Sequence, residues 1–127
     1  MSRSFRFAIL SLGLLGLAAC QKTIEAPMTR GVCFAMQTAP NGEIRFNPLA
    51  RDQPDLEHCA GQLDIMRLRF LGLGSAANDV VGSYQGQFLF VGPRGVYTAS
   101  RIDGFRYLLL VHSGDGRLVV PAAISPS

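Results

Sequence analysis

The sequence predicts a small α+β domain in which one amphipathic helix packs on one face of a small antiparallel sheet. Three observations predict it. The dipeptides Asn41-Gly42 and Asp103-Gly104 are typical of hairpin turns. Residues 52–72 place apolar side chains at helical spacing, and the chain beyond residue 83 alternates apolar and polar residues in short runs. The predicted order of elements is β-β-α-β-β-β-β.

The first two strands are predicted over residues 32–38 and 43–47, which are short β-prone runs. They are joined by Ala39-Pro40-Asn41-Gly42. Because Asn and Gly tolerate the positive φ angles of a tight hairpin turn, this junction predicts a β-hairpin.

The helix is predicted to begin with Asp52 or Gln53 as its cap and Pro54 in its first turn. Gly72 is the expected C-cap, after arginines in the last turn. Cys59 lies on the apolar stripe and is expected to face the core. The full stripe comprises Leu56, Cys59, Ala60, Leu63, Met66 and Phe70.

After a glycine-bearing connection over residues 72–83, the remaining strands are predicted over residues 84–91, 96–101, 105–112 and 117–121. In the third of these strands Leu108 and Leu110 alternate against Tyr107 and Leu109. Either both faces of that strand are covered, or the sheet curls.

The N-terminal part of the sequence predicts that residues 1–19 form a secretory signal peptide. Arg3 and Arg6 precede an uncharged stretch over residues 7–17. As a helix this stretch would be about 16 Å long, which is short of the ~30 Å hydrocarbon core of a bilayer. A removable signal therefore fits better than a permanent membrane span.

The segment Leu17-Ala18-Ala19-Cys20 resembles the lipobox of bacterial lipoproteins. The resemblance implies that Cys20 becomes the first mature residue and carries the lipid. Gln21, in place of Asp, implies sorting to the inner leaflet of the outer membrane, facing the periplasm. The alternative is a plain secreted protein, cut after Ala18, with an incidental cysteine.

This interpretation divides the chain. Cys20 and the residues to 31 form a lipidated, flexible tether, residues 32–121 form the single α+β domain, and residues 122–127 form a disordered tail.

Lipidation of Cys20 leaves Cys33 and Cys59 as an even pair. In the periplasm they are expected to form a disulfide, the alternative being two buried free thiols. If Val32 and Met36 face the helix, Cys33 points away from it. The bridge then requires the strand to begin at Phe34.

The charge balance excludes nucleic acid as a partner. Removing Arg3 and Arg6 with the signal peptide from the 12 basic residues leaves 10 against 9 acidic ones. The mature chain therefore lacks a basic footprint.

We predict no catalytic, cofactor or metal site. His112-Ser113-x-Asp115 contains the residue types of a hydrolytic triad, but neighbours on a strand point to opposite faces. Gly72-Leu73-Gly74-Ser75 follows a helix, which is the wrong context for a phosphate loop. His58-Cys59 has no second pair of ligands to complete a zinc site.

The predicted function is non-catalytic binding or scaffolding of an envelope protein by a lipoprotein held through its acyl chains. The candidate interaction surface comprises Leu108, Leu110, Arg94, Arg101, Arg106 and Arg117. The alternative is a secreted inhibitor of an enzyme such as lysozyme. It would insert the turn at residues 92–95 or the turn at residues 113–116 into an active site.

Overall fold

A computed structural model describes residues 23–75, 78–115 and 117–121 and confirms the α+β class. The signal peptide, Cys20 and the tail lie outside the described residues. All strands form one antiparallel sheet in the order β2-β1-β3-β4-β5-β6-β7. The elements are β1 (Cys33–Thr38), β2 (Ile44–Ala50), α1 (Leu56–Gly72), β3 (Val80–Tyr84), β4 (Gln87–Gly92), β5 (Gly95–Ala99), β6 (Tyr107–His112) and β7 (Leu118–Val119).

One strand, β3, lies in the stretch that the sequence assigns largely to a connection. It pairs with β4 through a tight turn at Gln85 and Gly86, both of which have positive φ. Gly82 lowers the strand propensity of this segment, but the packing of the helix requires glycine at this position. A Cβ at Gly82 would lie 2.5 Å from Leu63 Cδ1, so glycine allows α1 to pack closely on the sheet.

The N-cap of the helix lies two or three residues later than predicted. Asp55 is the N-cap, and its Oδ1 accepts a hydrogen bond of 2.8 Å from the backbone N–H of His58. Asp52 instead has a positive φ of 56° in the preceding loop. At the other end Gly72 is the last helical residue, and Leu73 takes the cap position.

The apolar stripe of α1 packs as predicted except at its last member. Phe70 is 39% exposed, whereas Asp64 and Arg67 are buried. We call the sheet face covered by α1 the inner face. Its core includes Ala60, Leu63 and side chains of β1 and β3–β6.

The predicted disulfide between Cys33 and Cys59 is confirmed, with both cysteines fully buried and their Cα atoms 5.2 Å apart. The strand begins at Cys33, not at Phe34. Cys33 and Ala35, two residues apart in β1, both face the helix, whereas Met36 packs on the opposite, outer face. The bridge ties β1 to α1 and contributes about 3 kcal/mol.

The outer face carries a second apolar cluster, which is covered by the chain that precedes β1. Ile24 and Ala26 pack against the cluster that contains Phe88 and Phe90. Pro27 C=O accepts a hydrogen bond of 3.0 Å from the backbone of the β3–β4 turn. The described part of the predicted tether, residues 23–31, therefore belongs to the folded body, because Ile24 and Ala26 pack on the sheet.

The helix thus covers the inner face and the segment before β1 covers part of the outer face, and the prediction for Leu110 is corrected. A register shift in β5 between Val96 and Tyr97 pairs Val96 with Leu110 and Tyr97 with Leu108. Leu110 turns into the inner core and is 4% exposed, whereas Leu108 is 46% exposed. Leu110 therefore contributes no surface for a partner.

Candidate interaction surface

Strand β6 extends well beyond its neighbour β7. β7 has only two residues and pairs with β6 at Val111 and His112. Ser113 N–H donates to Arg117 C=O across this hairpin at 2.7 Å. Residues 107–109 of β6 lie past the pairing described with β7, and the register shift between β5 and β6 leaves Leu109 without a partner in β5.

This open part of the β6 edge is bordered by exposed apolar side chains. Phe105 is 76% exposed and Tyr107 is 63% exposed. Their rings meet edge to face with centroids 4.9 Å apart. Leu108 adds a third exposed apolar side chain. Leu108, however, pairs with Tyr97 and so lies on the outer face. We call Phe105 and Tyr107 the β6 edge patch, and exposed apolar side chains of this kind are typical of interaction sites.

The other edge strand, β2, is built differently. Pro48 lies within it and has no N–H to offer to a further strand. Arg45 lies in it and forms an exposed ion pair with Glu43 at 3.7 Å. Proline and charge are the features that discourage pairing with another chain. The protein therefore protects one edge of its sheet and leaves the β6 edge without these features.

The outer face holds a cleft of 520 Å³ at the end of the sheet that carries the β4–β5 turn. Its floor includes Val81, Phe90 and Tyr97, which are cross-strand neighbours in adjacent strands. Arg94 and Arg106 also line it. The Arg106 guanidinium carbon lies 3.7 Å from the centre of the Phe90 ring, a cation–π contact.

The four arginines of the predicted interaction surface lie in three different parts of the structure. Arg94 and Arg106 lie together in the outer cleft, and within the described residues neither forms an ion pair. Arg101 lies exposed in the β5–β6 loop. Arg117 lines a separate, shallow groove between α1 and β7. Of the four arginines predicted to form one surface, Arg94 and Arg106 are therefore the two that lie together.

Sequence reasoning missed a buried polar cluster of Asp64, Arg67 and His112. Arg67 Nε donates to Asp64 Oδ1 at 3.1 Å, and the two side chains are 6% and 9% exposed. His112 Nε2 lies 3.4 Å from both Asp64 carboxylate oxygens, and its Nδ1 lies 3.1 Å from Pro93 C=O. The cluster joins α1 to β6 and the β4–β5 turn. The one signal in the sequence was the spacing of Asp64 and Arg67, three apart on a helix.

The histidine of the triad-like motif faces away from its serine. Ser113 Oγ donates to Asp115 Oδ1, and this bond lowers the pKa of Asp115, helped by the Arg117 backbone N–H. His112 faces Asp64 instead, so the three motif residues form no proton relay. Within residues 23–75, 78–115 and 117–121, no group of three or more metal-ligating side chains comes together.

Comparison with known proteins gives no relative: no family model, curated protein or solved structure matches this chain. In the part of the chain that the structure describes, no helix has both the length and the apolar character needed to cross a membrane. Function is inferred here from the geometry of the chain's own residues.

Proposed function

We propose that this protein is a lipid-anchored lipoprotein of the bacterial envelope that binds a partner protein along the β6 edge and catalyses no reaction. The observation that carries the proposal is the β6 edge patch beside an open strand edge. The lipobox-like segment ending at Cys20 supports anchoring, and Gln21 supports the inner leaflet of the outer membrane. The buried disulfide agrees with an oxidising compartment such as the periplasm.

The geometry favours binding by strand addition. An extended segment of the partner would continue the sheet, exchanging main-chain hydrogen bonds with the part of β6 that lies before Val111. Its side chains would pack against Phe105 and Tyr107. The partner is therefore expected to offer an extended apolar segment, because charged side chains would be desolvated against this patch.

A crosslinked pull-down from the envelope tests the proposal. The variant Phe105→Ser combined with Tyr107→Ser removes the β6 edge patch without changing a buried residue. We expect it to lose the partner that the wild-type chain captures. Leu68→Ser is the matched control, because Leu68 is 52% exposed on the helix, away from β6. Undiminished capture by the double variant would contradict the proposal.

The anchor is tested separately. Cys20→Ser should abolish labelling by a radioactive fatty acid and release the protein from the membrane fraction. Labelling that survives the substitution would show that Cys20 is not the lipidated residue.

We keep enzyme inhibition as the second candidate function, because the β4–β5 turn is exposed and its conformation is restrained by a side-chain contact. Pro93 and Arg94 lie exposed at its tip, and His112 contacts the Pro93 carbonyl. A turn restrained in this way suits insertion into an active site, since little conformational entropy is lost on binding. Lysozyme activity that is unchanged by mixing with this protein would eliminate that specific inhibitor.

A further inference from the structure

We propose that the outer face of the sheet rests on the lipid surface that holds the acyl chains, with Arg94 and Arg106 directed at headgroup phosphates. This inference rests on the proposed lipid attachment at Cys20. It assigns the outer cleft to the membrane and leaves the β6 edge to the protein partner.

The first argument is distance. Ile24 is packed on the outer face, and Cys20 precedes it by four residues. A fully extended chain covers at most about 3.6 Å per residue, so Cys20 lies within about 14 Å of the Ile24 backbone. A folded body of this size has a radius of gyration of about 13 Å. The spacer is thus too short to hold the domain clear of the bilayer, and the side that carries Ile24 is the side held near it.

The second argument is the chemistry of the outer cleft. Its floor is apolar, and its two arginines have no carboxylate partner among the described residues. Guanidinium groups bind phosphate oxygens with two parallel hydrogen bonds. Asp79 is the one carboxylate that lines the cleft. Leu108 extends the apolar area, because it pairs with Tyr97 and so shares its face.

These features complement the interfacial layer of a membrane. Aromatic side chains such as Tyr97 are enriched at the level of the headgroups, and arginines near them contact anionic lipid. The aliphatic parts of Leu108 and Val81 would contact the region just below. The lipid surface therefore satisfies both the charged and the apolar components of the outer face.

The chain contains no tryptophan, so one introduced tryptophan reports its own position. Leu108→Trp and Leu68→Trp form a matched pair, since Leu108 is 46% exposed on the outer face and Leu68 is 52% exposed on the helix. Each lipidated variant is reconstituted into vesicles of phosphatidylethanolamine and phosphatidylglycerol with bromine on the acyl chains. Bromine quenches tryptophan fluorescence only at short range.

We expect several-fold stronger quenching at position 108 than at position 68. Equal quenching, or stronger quenching at position 68, would overturn the orientation. Tyr97→Trp gives a second reporter from the cleft floor, and it should behave like Leu108→Trp. Far-UV circular dichroism of each variant checks that it is folded.

The arginines are tested in the Leu108→Trp protein. Replacing both Arg94 and Arg106 by Gln should reduce the quenching towards the value at position 68. Arg45→Gln combined with Arg69→Gln, on the exposed strand β2 and the exposed side of α1, removes the same charge and should leave the quenching unchanged. Quenching unaffected by the double change would contradict a role for the two arginines.

The same vesicles separate the two proposals. A wild-type chain that fails to float with vesicles contradicts lipid attachment at Cys20 and this inference with it. A chain that floats but shows no difference between positions 108 and 68 leaves lipid attachment standing and removes only the orientation.

Discussion

At the residue scale the most informative group is the buried pair of Asp64 and Arg67, which His112 joins. Two charges at the interface between helix and sheet are costly to desolvate, and their mutual hydrogen bond offsets that cost. Arg67 also donates to Asn78 C=O at 3.5 Å, just before β3. The pair therefore fixes how the second half of α1 sits on the sheet.

Arg67→Ala should destabilise the fold by about 3–5 kcal/mol, because it leaves the Asp64 carboxylate buried without its arginine. Arg69→Ala is the control: Arg69 is exposed on the same helical turn, and its loss should change the free energy of unfolding by about 0.5 kcal/mol or less. Urea unfolding measures both. Similar values for the two variants would show that the buried pair is not a stabilising contact.

At the element scale the N-cap of α1 couples helix stability to pH. The backbone N–H of His58 lowers the pKa of Asp55, and the His58 side chain lowers it further. A carboxyl whose pKa is lower in the folded state stabilises the fold above its unfolded pKa, about 3.9. That contribution is lost as the pH falls through the folded pKa of Asp55.

Asp55→Asn keeps a capping side chain but removes the titrating group. We expect the variant to be less stable than wild type at neutral pH, and the difference to shrink below about pH 4 as Asp55 becomes protonated. Urea unfolding at a series of pH values measures this. A difference that stays constant down to pH 2 would contradict a role for the ionised cap.

The elements also show how far local sequence signals reach. The Asn41-Gly42 hairpin and the helix are predictable because their causes lie within a few residues, in turn dihedral angles and apolar spacing. Strand β3 is not predictable in this way, because glycine is required at position 82 by close packing against Leu63, a residue distant in sequence. Local composition cannot report a tertiary contact of that kind.

The same limit explains the candidate site. The register shift between β5 and β6 puts Leu108 and Leu110 on different faces, and simple alternation carries no sign of it. The sequence therefore identified Leu108 and the late arginines as surface candidates, but placed Leu110 with them. The Phe105–Tyr107 pair became meaningful only when the shortness of β7 exposed the edge beside it.

At the scale of the whole molecule, each surface of the sheet has a different neighbour. The helix covers the inner face, and the segment around Ile24 covers part of the outer face. Strand β2 closes one edge with Pro48 and charge, whereas β6 leaves the other edge open. In the proposed orientation the membrane takes the rest of the outer face. A partner can then approach the β6 edge from the side.

This arrangement requires the segment before β1 to be part of the fold, and Ile24→Ser tests that requirement. The substitution places a hydroxyl against the outer apolar cluster and should destabilise the fold by about 1 kcal/mol, because Ile24 is only partly buried. Glu25→Ser is the matched control, since Glu25 is the exposed neighbour and should have almost no effect. Thermal unfolding measures both. If Ile24→Ser and Glu25→Ser unfold at the same temperature as wild type, the segment is a free tether, and the short span from Cys20 to the outer face no longer fixes which side meets the membrane.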